Sequence, residues 1–330
     1  MMKLSTMCKV DCMVGANGES PVAEQLLKDW EHDPGSVRFF RSSANFVYVL
    51  RNDGRECFLR FAESSERTRE TIEAEIDILH WVAGKGMAVA SPIQSRNGNF
   101  VETVVTDLGT FHAVVFAALE GSQLEMGDLD DFQFREWGTA LGKLHAALRT
   151  YAGSGLSARS TWRDHLELIR ASLPKDESAP GSEYQQIASS LHTFPVTPDT
   201  YGLVHCDFEL DNLYWHDHTI GIGDFDDCIH SWYIADIAWA LRDLFSDRID
   251  LGTRSFRAFV RGYSQQYPLA DELLSHLPLF VRMAKLLTYA RLVRAMDLPE
   301  HPEEPVWLRS LRLKLKNWMD GYKASLENLT

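Results

Sequence analysis

Residues 202–241 read GLVHCDFELDNLYWHDHTIGIGDFDDCIHSWYIADIAWAL, and the fold turns on this stretch. An apolar run, Tyr201 to Val204, stops at His205-Cys206-Asp207. Asn212 then precedes Leu213-Tyr214-Trp215, bulky residues of the kind that form a short strand. His216-Asp217-His218 reads as a turn, and Thr219-Ile220-Gly221-Ile222-Gly223 returns the chain to Asp224. A hairpin of this length sets Asn212 near Asp224, at the mouth of the site that Asp207 also enters.

Those three side chains suit transfer of a phosphoryl group from a nucleotide. Such a transfer asks for positioning and charge neutralisation, with little covalent work by the protein. One carboxylate must accept or orient the proton of the attacking hydroxyl, and Asp207 stands where such a base belongs. Magnesium is usually held by one or two carboxylates together with phosphate oxygens and water. Asn212 and Asp224 are the expected metal ligands. A lone H-x-D carries almost no information, since His, Asp and Asn are ordinary loop residues. Loop, strand, turn, strand and second Asp in this order are far rarer by chance.

At these residues the chain resembles the aminoglycoside phosphotransferase/choline kinase superfamily, the small-molecule relatives of protein kinases. HCDFELDN stands where that family carries H-G-D-x-x-x-x-N, GDFDD where it carries I-D-x-x-D, and YIADIAWAL for its later D-x-A helix. Cys206 replaces the usual glycine. The resemblance runs from about Phe39 to the C-terminal helices. It implies an α+β, bilobal, protein-kinase-like fold: a small N-terminal lobe over residues 1–118, with a five-stranded antiparallel sheet and one main helix, and a larger, mostly helical lobe over 119–330, with a hinge near 116–121. It also implies ATP and Mg2+ as cofactors, with His205 and Asp236 bracing the loop rather than doing chemistry.

Upstream, the first twenty residues show no clear period and are expected to be loose. Ser20-Pro21 then opens a helix, VAEQLLKDWEH, that Gly35 ends. Strands are expected over Val37–Arg41, Asn45–Leu50 and Glu56–Phe61, the last two joined by Asn52-Asp53-Gly54. In the kinase plan the turn Arg41-Ser42-Ser43-Ala44-Asn45 covers the triphosphate. Backbone amides and the hydroxyls of Ser42 and Ser43 are suited to cradle phosphates, although an ordinary hairpin loop reads the same way. No lysine occurs between Lys28 and Lys85, so Arg60 fills the slot of the third-strand lysine. Its planar fork can bind phosphate and pair with a carboxylate, although a strand-face arginine is often merely solvated. The partner should come from a helix over Arg69–Gly84, whose Ile72, Ile76, Leu79 and Val82 recur at helical spacing. Glu73 and Glu75 cannot both face the site; the family habit favours Glu75. Strands over Phe100–Thr106 and Thr110–Ala118 complete the sheet, and Phe116 and Ala118 are the hinge positions expected to meet adenine.

Downstream of Asp130 the chain turns helical. Phe134, Trp137, Leu141, Leu144, His145 and Leu148 share one face, and His145 reads as a satisfied core histidine rather than a ligand. Further helices are expected over Trp162–Leu173, Ser182–Thr193, Tyr233–Phe245, Thr253–Tyr267, Ala270–Met296 and Val306–Leu329, with Leu277-Pro278 ending or kinking one of them.

The totals exclude several classes. A net charge of −14 disfavours nucleic-acid binding, which clusters Lys and Arg on phosphates. Five cysteines without a CxxC pair indicate neither a disulfide framework nor a zinc site. No run approaches the ~20 apolar residues of a membrane span, and a cytoplasmic location is expected. Glu209, Asp211, Asp226 and Asp227 crowd one region and favour a cationic acceptor. The expected substrate is a small amine-bearing molecule, an amino acid or amino alcohol such as homoserine or choline, with aminoglycosides as the alternative. A protein Ser/Thr kinase is less suited, because GDFDD runs almost directly into a helix without an A-P-E segment. A non-catalytic nucleotide binder is disfavoured by the presence of all three chemical residues.

Overall fold

The computed structural model describes residues 1–245 and 249–327. Two helices come first, α1 (Leu4–Asp11) and α2 (Pro21–Leu26). Ser20 caps α2 by accepting the Ala23 N–H at 3.3 Å, with Pro21 at the first helical position. The first twenty residues, expected to be loose, instead contribute α1, whose Leu4, Met7 and Val10 enter the N-lobe core. Eight residues are too few to announce a period.

Six antiparallel strands build the N-lobe sheet: β1 (Arg38–Ser42), β2 (Phe46–Asn52), β3 (Arg55–Glu63), β4 (Pro92–Ile93), β5 (Glu102–Thr106) and β6 (Gly109–Ala117). They run β1-β2-β3-β6, with β4 and β5 end to end along the far edge of β6. Five strands were expected; the sixth makes only the pairs Pro92↔Phe116 and Ile93↔Val115, too short to show alternation. The β2–β3 turn has Asp53 at φ 50° and Gly54 at φ 73°, the two left-handed residues of a type I′ hairpin.

Alternation along the strands sorts side chains onto two faces. Tyr48, Leu59, Phe61, Phe111 and Val115 fill one core, where the Phe46 and Phe61 rings stack at 5.0 Å. The other set, Val47, Phe58, Arg60 and Phe116, is left facing the cleft between the lobes. Helix α3 (Arg69–Gly84) crosses this sheet and buries Ile72, Ile76, Leu79 and Val82 as their spacing predicts, together with Glu75.

The C-lobe comprises α4 (Asp131–Leu148), α5 (Trp162–Ser172), α6 (Ser178–Thr193), β7 (Tyr201–Val204), β8 (Leu213–His216), β9 (Thr219–Ile222), β10 (Ile229–Trp232), α7 (Tyr233–Ala240), α8 (Arg254–Ser264), α9 (Asp271–Leu274), α10 (Leu277–Ala295) and α11 (Val306–Glu327). Strand β7 pairs with β10, and β8 with β9. Helix α6 starts before the expected Ser182 because Pro180 is tolerated in a first turn, where its missing N–H has no intrahelical acceptor. The segment Tyr233–Phe245 is not one helix: α7 stops at Ala240 and Asp243–Phe245 forms a separate 3₁₀ turn. Ala270–Met296 is likewise split, and Pro278 lies in the first turn of α10, so the break precedes the proline. The helix end expected at Leu329 falls outside the described residues.

Helices α4 and α8 cross backbone to backbone. A Cβ on Gly138 would stand 2.0 Å from the Phe259 carbonyl oxygen, and one on Gly262 1.9 Å from that of Arg135. This crossing brings His145 of α4 against Tyr263 of α8. No helix among the described residues is long and apolar enough to cross a membrane.

Candidate active site

The loop 205–212 leaves β7 with Cys206 at φ 69°, a left-handed conformation that explains why glycine is the family's residue there. Two consecutive backbone N–H groups are held by one buried carboxylate. Asp236 accepts from His205 N at 2.9 Å and from Cys206 N at 2.7 Å. Its Oδ2 also meets His145 Nε2 at 2.9 Å, and His145 Nδ1 meets the Tyr263 hydroxyl at 2.7 Å. A carboxylate only accepts, so Nε2 carries the proton and Nδ1 receives the tyrosine O–H. His145 is thus a satisfied core histidine, and Asp236 fastens the loop to α7 and α4.

His205 ties the same loop to the second one. Its Nε2 donates to the Gly223 carbonyl at 3.0 Å, leaving Nδ1 to accept the Asp207 N–H at 3.3 Å. Burial lowers its pKa, which keeps the ring neutral and this donor–acceptor split intact. Asn212 donates from Nδ2 to Asp207 Oδ2 at 2.8 Å and to the Asp207 carbonyl at 2.9 Å. Its own carbonyl accepts the Gly223 N–H at 2.8 Å, one step beyond the Leu213↔Ile222 pair. The hairpin therefore ends with Asn212 level with Gly223 and Asp224 next in line. Asp224 adopts φ 54° and ψ 63°.

Arg60 reaches Asp224 Oδ1 at 3.4 Å and Arg41 reaches Oδ2 at 3.6 Å. Both contacts are long, and burial pushes the Asp224 carboxyl up to about 7 despite the pull of Arg60. Arg60 is gripped in two-pronged fashion by Glu75, with Nη1 at 2.9 Å from Oε1 and Nη2 on Oε2, and stands 4.9 Å over the Phe116 ring. Glu73 is exposed and pairs with Arg69 at 2.7 Å, which settles the choice between the two glutamates. Arg60, Glu75, Asn212 and Asp224 all line one cleft of about 290 Å³, with Val47, Phe58, Ala90, Phe116 and Leu119 forming its apolar part.

Several candidates lie elsewhere. Ser43 lines the cleft, but the Ser42 hydroxyl donates to Asp11 at 2.8 Å, because alternation along β1 turns it toward α1. Phe116 lines the cleft together with Ala117 and Leu119, whereas Ala118 does not, and its N–H donates to the Glu56 carbonyl at 3.2 Å. Asp226 and Asp227 do not form an open acidic surface. Arg67 bridges them at 2.8 Å each, Asn45 adds 2.9 Å to Asp226, and Arg291 adds 2.9 Å to Asp227. Burial opposes ionisation of Asp226, but Arg67 and Arg60 outweigh it and hold the carboxyl down at about 2. Asp211 lines the cleft, and Glu209 is buried against Arg242. Burial first, then the neighbouring Asp207, pushes Glu209 up to about 9. Arg41, Arg67 and Arg291 had not been singled out as site residues. The acidic DFDD run reads as favouring a cationic acceptor, whereas Arg67 and Arg291 meet its charges, and Arg67 stands 160 positions from Asp227, too far for a spacing signal.

Residues 36–273 match the phosphotransferase enzyme family. The chain belongs to that family. It is a small-molecule phosphotransferase that uses a hydroxyl group as acceptor. Among curated proteins it is similar to an amicoumacin kinase of Bacillus subtilis (strain 168), 27% identical over 94% of this chain and 93% of the relative. It is also similar to a homoserine kinase of Nitrobacter winogradskyi, 25% identical over 89% of this chain and 93% of that one. Among solved structures, an amicoumacin kinase in complex with AMP-PNP, Ca2+ and Ami superposes with a TM-score of 0.77 at 24% identity, covering 94% and 96% of the two chains. A microcompartment-associated aminopropanol kinase gives a TM-score of 0.74 at 22% identity, covering 93% and 96%. These likenesses establish the bilobal kinase-like fold.

Proposed function

We propose that the protein transfers the γ-phosphoryl group of ATP, with Mg2+, to a hydroxyl of a small amine-bearing acceptor, an amino acid or amino alcohol. The observation that carries this reading is the double engagement of Asn212. Its NH2 holds Asp207, and it lines the same cleft as Asp224 at the end of the hairpin. Hard oxygen donors of this kind fit Mg2+, and Asp224 suits it further, being half-buried with only long guanidinium contacts. Among the described residues no group of three or more His, Cys, Asp or Glu is arranged to hold a metal, which suits a cation that arrives with phosphate oxygens. Bound there, Mg2+ would neutralise charge on the triphosphate.

The remaining work falls to the chain's own groups. Asp207 receives the proton of the acceptor hydroxyl, and Asn212 fixes the carboxylate's orientation. Arg60 is held rigid by Glu75 and presents its positive charge to the phosphates. The apolar part of the cleft, from Phe58 to Leu119, is suited to cover the adenine ring of the nucleotide. In the amicoumacin kinase structure the ligands include an ATP analogue and a divalent cation, which supports the same pairing of cofactors here. A second cavity of about 310 Å³ lies between Arg242 and the α10–α11 pair, lined by Lys285, Thr288, Asn317, Trp318 and Tyr322. We assign it to the body of the acceptor.

The test is ADP release from Mg-ATP against pooled hydroxylated amines. Asp207→Asn should lower kcat by roughly three decades while nucleotide still binds, the leverage of a positioned acid–base group. Turnover of antibiotics alone in that panel would replace the metabolite reading with a resistance function.

A further inference from the structure

We infer that Arg41, delivered to the cleft by a β-bulge, is a phosphate-binding residue whose guanidinium leaves Asp224 for the outer phosphates when nucleotide and cation arrive. This rests on the phosphotransferase reading above and adds a side chain to it.

Strand β1 pairs Phe39 with Tyr48 and then Arg41 with Val47, so Phe40 is the extra residue of a bulge. Under strict alternation Arg41 would share a face with Phe39, whose ring meets Tyr48 at 5.6 Å on the core side. Instead Phe40 and Arg41 both line the cleft, and Ser42 returns to the core side, where it bonds Asp11. A bulge of this kind re-aims a side chain, and bulges gather beside active sites. The side chain it aims here is a cation. Among the described residues Arg41 and Arg60 are the two basic side chains that line this cleft.

The two arginines differ in what already holds them. Arg60 is gripped by Glu75, whereas the Arg41 side chain makes no hydrogen bond to any described residue. Its Nη2 stands 3.6 Å from Asp224 Oδ2, too far for a hydrogen bond, and its Nε is buried without a partner. A buried donor left unpaired is costly, and the planar guanidinium fork matches the oxygens of a phosphate. Asp224 is also the carboxylate expected to take the cation. A divalent cation placed on Asp224 displaces the guanidinium from it, and the phosphates that the cation brings supply Arg41 with acceptors at the same place. A triphosphate carries more negative charge than one divalent cation offsets, so a second basic group beside Arg60 has work there. The step is an exchange of partners, with no covalent bond made or broken by Arg41.

The experiment is calorimetric titration of the wild type, Arg41→Gln and Arg41→Lys with adenosine, AMP, ADP and AMP-PNP, with Mg2+ present throughout. Arg41→Gln should weaken AMP-PNP by about 10- to 100-fold, the loss expected for a hydrogen bond between charged groups. Its affinity for adenosine should change by less than about twofold, which also shows that the variant is folded. Arg41→Lys should recover part of the loss, since it keeps the charge without the fork. Added KCl should weaken AMP-PNP binding more in the wild type than in Arg41→Gln. An equal loss for adenosine and AMP-PNP would assign Arg41 a structural role and overturn the inference. Undiminished AMP-PNP binding in Arg41→Gln would leave Arg41 as a partner of Asp224 alone, and overturns it too; both results keep the kinase reading. A wild type that binds none of the four compounds overturns both.

Discussion

Asp224 carries its carboxylate at φ 54° beneath Arg60 and Arg41, and burial still pushes it up to about 7 from an ordinary 3.8. Between those two values the folded chain binds more protons than the unfolded one, so stability present below about pH 4 is lost as pH rises through 7. Asp226, two residues on, runs the other way. Its carboxyl is held at about 2, so its contribution is present above 3.8 and disappears as pH falls toward 2. Without nucleotide or metal, Asp224→Asn should therefore be more stable than wild type at pH 8, by on the order of 1–3 kcal/mol, and gain far less at pH 5. The same variant should lose activity. Urea midpoints at the two pH values measure the first effect, and a wild type that is the more stable at pH 8 would show that Arg60 compensates the charge fully. At this scale the sequence marked three side chains of which the structure sets Asn212 on Asp207 and in one cleft with Asp224. Asp207, Asn212 and Asp224 sit on one short stretch whose spacing the reaction dictates. Arg67 and Arg291 were not legible as partners of Asp226 and Asp227, because no local pattern links residues so distant in sequence.

Elements were legible where a period had room to repeat. Helix α3 buries the four residues its spacing marked, and β2, β3 and β6 alternate between core and cleft. The hinge and the turn after β1 gave weaker signals. A one-residue change flips a strand side chain to the other face, which is how Ser42 came to face α1 while Ser43 kept the cleft. The crossing of α4 on α8 could not be foreseen, since a glycine in a helix pattern does not say which backbone approaches it. Gly138 and Gly262 leave no space for a methyl group against Phe259 and Arg135 carbonyls. That approach sets His145 against Tyr263, and through Asp236 it fixes the backbone before Asp207. Gly262→Ala should then cost about 1–3 kcal/mol or more by overpacking, even though alanine is the better helix former. It should also lower kcat more than it raises KM for nucleotide, because the displaced group is the loop and not the cleft. A stability gain would mean that the helices separate at no cost.

At the scale of the whole molecule, the two lobes meet at more than the hinge. Helix α1 lies between the N-lobe sheet and the C-terminal helices: Leu4, Met7 and Val10 share one core with Tyr48, Phe61 and Phe111 on one side and Leu292, Leu308 and Leu315 on the other. Polar contacts fasten both flanks. The Met2 N–H donates to the Ser43 carbonyl at 2.8 Å and Lys9 meets Glu63 at 2.8 Å on the sheet side, while the Ser5 N–H donates to Asp297 at 3.0 Å on the helical side. A segment that read as loose is thus a joint between lobes, and its stabilisation comes from tertiary burial that a short sequence window does not display. Leu4 is 1% exposed, so Leu4→Ala should cost about 2–5 kcal/mol, as buried leucine truncations do. Met13, half exposed just beyond the helix, supplies the comparison, and Met13→Ala should stay within about 0.5 kcal/mol. The joint also bears on the proposed function, since Ser43 lines the cleft and its carbonyl is held by Met2, just before α1. Leu4→Ala should therefore raise KM for ATP, measured well below its melting temperature, while leaving the wild-type preference among acceptors in place. If the two substitutions shift the melting temperature equally, α1 contributes nothing to the core and the lobes are joined by the hinge side alone.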